Sequence, residues 1–130
     1  MLLASRGRLA TQGDALALIA VSTETERERT WSFSELHREV VSMAAILREQ
    51  GVGRGDRVLI YMPMIAEAVF AMLACARLGA IHCVVFGGFA SGSLASRIED
   101  ASPKVIVSSD AGSRGGKVVP YKHLLDEAIS

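Results

Sequence analysis

Two glycine-bearing segments carry the residue types that could hold an anionic ligand. Phe86-Gly87-Gly88-Phe89-Ala90-Ser91-Gly92 leaves a run of strand-forming residues and enters a helical pattern. Paired glycines let a ligand approach the backbone closely, and free N–H groups at a helix start favour an anion. The same spacing also suits a tight strand-to-helix connection that needs glycine only for its backbone angles. The second segment, Asp110-Ala111-Gly112-Ser113-Arg114-Gly115-Gly116-Lys117, is not a Walker A loop, which would need glycine at Ala111 and Ser or Thr at Val118. It reads as a flexible, glycine-rich turn after a strand. Arg114 there could grip a phosphate bidentately and Lys117 could add a point charge, or the whole could be a solvated surface turn.

Other candidates carry less. Gly51-Val52-Gly53-Arg54-Gly55 precedes a strand, and Asp56 stands where the third glycine of a dinucleotide fingerprint belongs, so it reads as a helix-to-strand turn. His37, His82 and His123 have no second ligand at metal spacing and no nucleophile in an arguable triad. Asp56, Glu67 and Asp100 read as turn or helix-surface carboxylates. Cys75 and Cys83 match neither a CxxC pair nor a zinc spacing and read as structural thiols, which suits a reducing cytoplasm. No catalytic residue and no metal site is assigned.

Behind these residues stands a regular alternation of elements. Asp14 to Val21 suits a short strand, Ser22 to Arg29 a loop, and Arg29 to Trp31 a returning strand. Ser32 precedes Glu35 at capping-box spacing and opens a helix whose apolar face is Phe33, Leu36, Val40, Met43 and Leu47. Gly51 is placed to end it. Arg57 to Tyr61 is a buried strand, Ile65 to Leu78 a helix apolar almost all round, and Ile81 to Phe86 a second buried strand. Ser91 to Ala101, Val105 to Ser108 and Tyr121 to Ile129 follow as helix, strand and helix. Strands alternating with helices predict an α/β fold, a partial parallel-sheet layer with flanking helices. Ligands then collect at the carboxyl ends of the strands, where both glycine segments lie.

Composition sets the outer bounds. The 130 residues, half of them apolar, suffice for one core of ordinary size, read as a single partial domain over 1–130 with 1–8 as a poorly ordered lead-in. Fourteen Lys and Arg balance fourteen Asp and Glu, so charge draws the chain toward neither nucleic acid nor an anionic membrane. The N-terminal residues lack a sustained apolar core for export. Glu67, Arg77, Gly79 and Gly87-Gly88 interrupt the apolar stretch Ile65 to Phe89 before a membrane span is complete.

Three ordered stretches carry a resemblance: Tyr61-Met62-Pro63-Met64, Met72-Leu73-Ala74-Cys75-Ala76-Arg77-Leu78-Gly79-Ala80-Ile81-His82, and Val85-Phe86-Gly87-Gly88-Phe89. Together they resemble the acetyl- and propionyl-CoA synthetase branch of the adenylate-forming enzymes. Ala17 to Thr25 and Ser113 to Lys122 look most like its propionate-using members. The resemblance runs from about Leu9 to Ser130 and covers a minor, N-terminal part of such an enzyme.

It implies the N-terminal subdomain of the adenylate-forming fold. The parent activity would be an ATP-dependent acid:CoA ligase acting on propionate or acetate. It implies CoA contacts, chiefly to the nucleotide end, at Phe86, Gly87, Gly88, Arg114, Gly115, Gly116 and Lys117. The ATP and Mg sites, the acid pocket and the adenylation lysine would lie beyond Ser130. Two departures stand out: acetyl-CoA synthetases usually carry arginine where Lys117 stands, which weakens a paired-arginine clamp, and Met1 to Arg6 do not follow the usual lead-in. An incomplete sheet would expose an edge and the apolar faces of helices such as Ile65 to Leu78, favouring self-association or a partner such as the remaining synthetase. The rival readings are a stand-alone, non-catalytic nucleotide-binding α/β module and the remnant of a truncated gene.

Overall fold

Ser32 and Glu35 close the capping box that their spacing predicts. In the computed structural model, which describes residues 11–85 and 90–130, Glu35 N–H donates to Ser32 Oγ at 3.2 Å and Ser32 N–H donates to Glu35 Oε2 at 2.8 Å. Helix α1 follows over Phe33–Glu49 with Val40, Ala44 and Leu47 buried. Just past its end Gly51 takes φ +86 and donates its N–H to Arg48 O at 2.9 Å, an exit that glycine adopts without steric cost.

Ahead of α1, β1 (Leu16–Ser22) and β2 (Arg27–Ser32) pair antiparallel. Their connecting turn, 23–26, is fixed by Thr25 N–H on Ser22 Oγ at 3.3 Å. It also holds Glu26 at φ +52, a left-handed conformation that costs an L-residue with a Cβ about 1–2 kcal/mol.

From Arg57 the chain alternates as β3 (Arg57–Tyr61), α2 (Ala66–Leu78), β4 (Ile81–Val85), α3 (Ser91–Ala101) and β5 (Val105–Ser108). The three strands form a parallel sheet of order β4-β3-β5. Side chains of the central strand alternate between two cores. Val58 and Ile60 join Val40, Ala44 and Leu47 of α1 and Ala71, Ala74 and Cys75 of α2. Leu59 and Tyr61 join Leu94 of α3 and, from the last helix α4 (Tyr121–Ile129), Tyr121 and Leu125. All four strand residues are fully buried, each contributing roughly 1.5–3 kcal/mol.

The path from β3 to β4 moves to one side of the sheet, and the path from β4 to β5 returns across β3 to the other. Right-handed crossovers running in opposite directions lay their helices on opposite faces, and α2 and α3 do lie in opposite cores. The exits of β3 and β4 therefore diverge. Open α/β sheets receive their ligands at the carboxyl ends of the strands.

Two local expectations change. β4 is not a buried strand, because it is a sheet edge: Ile81 is 53% exposed, His82 is exposed with it, and only Val85 is buried. Helix α2 shows no exposed residue, because α1 covers it on one side and the Trp31–Phe70 contact, ring centroids 5.6 Å apart, covers its start. Exposed large apolar side chains include Leu16, Ile19 and Val21 of β1, Ile46 of α1, Met64 and Ile65 just ahead of α2, Ile81, Val118 and Ile129. The expected lead-in, 1–8, lies outside the described residues.

Candidate functional site

Asp110 ties together both ends of the segment between β5 and α4. Its Oδ1 accepts from Ala111 N–H at 2.9 Å and its carbonyl accepts from Lys122 N–H at 3.0 Å. Between these anchors β6 (Gly112–Arg114) and β7 (Lys117–Val119) pair antiparallel, with Arg114 opposite Lys117. Gly115 and Gly116 join them at φ +58 and +74, the positive pair that a two-residue type I′ hairpin requires. The segment expected to be a flexible turn is a hairpin, and its glycine pair is what permits the connection.

The hairpin is seated on the exit of β3. A Cβ at Gly112 would stand 2.8 Å from Tyr121 Cε2 and 3.0 Å from Pro63 Cγ, so only glycine fits between those rings. Tyr121 in turn packs on Tyr61, centroids 5.0 Å apart. The Tyr61 hydroxyl and Ser109 Oγ are buried and make no hydrogen bond among the described residues. Burial raises the Tyr61 phenol pKa, with Tyr121 adding to the effect. Burial raises that of Tyr121 as well, and the Arg114 guanidinium opposes it.

At the tip Arg114, Gly115, Gly116 and Lys117 are all exposed. Nothing lies within 4 Å of a Cβ built on either glycine, which leaves open space for a ligand beside the backbone. Two cations facing each other across a strand pair repel, and an anion between them would convert repulsion into charge-assisted hydrogen bonding. One carboxylate already approaches: Gly116 N–H donates to Glu24 Oε1 at 3.4 Å from the turn joining β1 and β2. This arrangement can bind an anion.

Phe86, Gly87 and Gly88 lie outside the described residues, so the structure brings together four of the seven residues singled out from sequence. Their segment starts after Val85, the register partner of Tyr61, and ends before Ala90, the N-cap of α3.

Cys75 is buried, and burial, with Cys83 adding, raises its thiol pKa away from reactivity. Asp56 accepts from Gly53 N–H at 2.7 Å and from Lys104 Nζ at 3.3 Å, and these bonds hold its carboxyl below the usual aspartate value. His123 pairs with Glu127 at 3.2 Å on an exposed helix face. Among the described residues no three of His, Cys, Asp and Glu gather as a metal site. Sequence reasoning missed Glu24 as a neighbour of the tip, and Pro63 and Tyr121 as the rings that hold Gly112 at the hairpin's base. The one legible signal was Gly-Gly between Arg114 and Lys117, a hairpin mark as much as a loop mark.

The family described as AMP-binding enzyme matches residues 6–128, nearly the whole chain. The chain belongs to the AMP-binding enzyme family. Among curated proteins, it is 68% identical over 122 residues to a propionate–CoA ligase of Escherichia coli K12, covering 94% of this chain and 19% of that protein. It is 68% identical over 119 residues to the propionate–CoA ligase of Salmonella typhimurium LT2, covering 92% of this chain and 19% of that one. An acetyl-coenzyme A synthetase of Methylobacterium radiotolerans is 54% identical over 121 residues, 93% of this chain and 19% of its own length. The chain thus spans about a fifth of the length of the curated relatives it matches. No described helix is long and apolar enough to cross a membrane.

Proposed function

We propose that this chain is the N-terminal part of an ATP-dependent short-chain acid:CoA ligase and supplies part of its CoA surface through Phe86, Gly87, Gly88, Arg114, Gly115, Gly116 and Lys117. In the intact parent a carboxylate attacks ATP to give an acyl-adenylate and pyrophosphate. The CoA thiol then displaces AMP to form the thioester. Propionate is the favoured acid, since identity is 68% to propionate–CoA ligases against 54% to an acetyl-coenzyme A synthetase. The chain acts as one partial domain, in the cytoplasm. ATP, Mg and acid sites belong to the parts of the relatives that it does not span.

The observation that supports this reading is the seating of the Arg114–Lys117 hairpin by Gly112, between Pro63 and Tyr121, at the carboxyl end of the sheet. The nucleotide end of CoA carries a phosphate monoester and a diphosphate. A guanidinium fork and an ammonium opposite each other suit such groups, with open backbone beside them. Unlike an arginine pair, Lys117 adds charge without a second planar fork.

Calorimetric titration of the chain with CoA tests the proposal, with the Arg114→Ala, Lys117→Ala double variant in parallel. Saturable binding that weakens roughly tenfold in the variant is the expected result for two charge-assisted contacts. Equal affinity in the folded variant, or no binding by the folded chain, would overturn it.

A further inference from the structure

The contact between Glu24 and the hairpin tip links segments 92 residues apart. Glu24 approaches from a turn that is itself pinned, by Thr25 N–H on Ser22 Oγ and by the left-handed backbone of Glu26. Its carboxylate accepts from the N–H of Gly116, and the cations flanking that glycine are Arg114 and Lys117. A carboxylate on a backbone N–H of the turn that joins Arg114 to Lys117 has the acceptor chemistry of a phosphate oxygen with less charge than a phosphate dianion.

We propose that Glu24 is a built-in competitor for the anion seat at the β6–β7 tip, which a phosphate-bearing ligand must displace to bind. Without a ligand, Glu24 offsets the repulsion of the facing Arg114 and Lys117 and keeps the tip from accepting weak monoanions. A diphosphate or phosphate monoester, with greater charge, wins the exchange. Glu24 is thus a specificity-determining residue that sets a charge threshold, and it touches no reacting atom. The identity of the natural anion as CoA rests on the reading above, while the competition itself does not.

The test follows the Gly116 amide resonance of the isotope-labelled chain during titration with pyrophosphate, for the native sequence and for Glu24→Gln. Glutamine keeps the acceptor oxygen and removes the charge, so a fold defect is not expected, and far-UV circular dichroism checks it. The variant should bind pyrophosphate roughly two- to fivefold more tightly, the range that one exposed charge contact supports. Added salt should narrow the difference. Unchanged or weaker binding in Glu24→Gln overturns the proposal, as does a Gly116 amide that pyrophosphate moves in neither protein. Should pyrophosphate behave as expected while calorimetry finds no CoA binding, the competition stands and the CoA assignment falls.

Discussion

Tyr61 and Tyr121 meet ring to ring, planes inclined by 60°, and Tyr121 also stands against Gly112 of the hairpin. The rings are therefore the joint between the central strand and the candidate anion site. Removing only the buried Tyr61 hydroxyl keeps the joint and deletes a polar group with no partner among the described residues. Since an unpaired buried polar group costs about 1–3 kcal/mol, Tyr61→Phe should leave the urea midpoint unchanged or raise it. Tyr121→Ala removes the joint and should cost about 3–5 kcal/mol, as aromatic truncations in a core do. A large loss in Tyr61→Phe would mean that the hydroxyl has a bonding partner.

Gly112→Ala should unseat the hairpin. Its Cβ would press on Tyr121 at 2.8 Å and on the Pro63 ring at 3.0 Å, an overpacking worth roughly 1–3 kcal/mol. Gly116→Ala meets no atom within 4 Å but is strained at φ +74, at about 1–2 kcal/mol. Both should lower the melting temperature. Only the first should shift the aromatic resonances of Tyr121, and a silent Tyr121 would refute the seating.

Asp56 gives the fold an acid limb. Its pKa lies below the ordinary value, chiefly through the Gly53 N–H bond with Lys104 assisting. Folding thus favours the deprotonated form. The contribution is complete above the unfolded value near 4 and disappears as pH falls through the lowered folded value. Denaturation midpoints of the native chain and Asp56→Asn should differ at neutral pH and converge as acidification protonates Asp56 in the folded chain. A difference independent of pH would assign the effect to shape instead of charge.

What the sequence disclosed was local. The Ser32–Glu35 capping box, the exits at Gly51 and Gly79, and the alternation of strands and helices depend on neighbours a few residues away, and each forms. The order β4-β3-β5 was not disclosed, because strand composition does not reveal which strand is an edge, and His82 was misplaced as buried for that reason. At the candidate site Arg114 and Lys117 were legible as charges, but their pairing depends on Gly115 and Gly116 turning back on themselves. The approach of Glu24 depends on long-range folding that no local spacing encodes.

The strand order also dictates a schedule. Both partners of β3 come later in the chain, one after α2 and the other after α3. On a ribosome adding ~5–20 residues per second, β3 waits roughly two to nine seconds between its own emergence and that of β5. During that interval α1 and α2 can shelter Val58 and Ile60, while Leu59 and Tyr61 have no cover until α3 and α4 follow. The face of the sheet that builds the candidate site is the last to close during synthesis, and a nascent chain is most exposed to mispairing there.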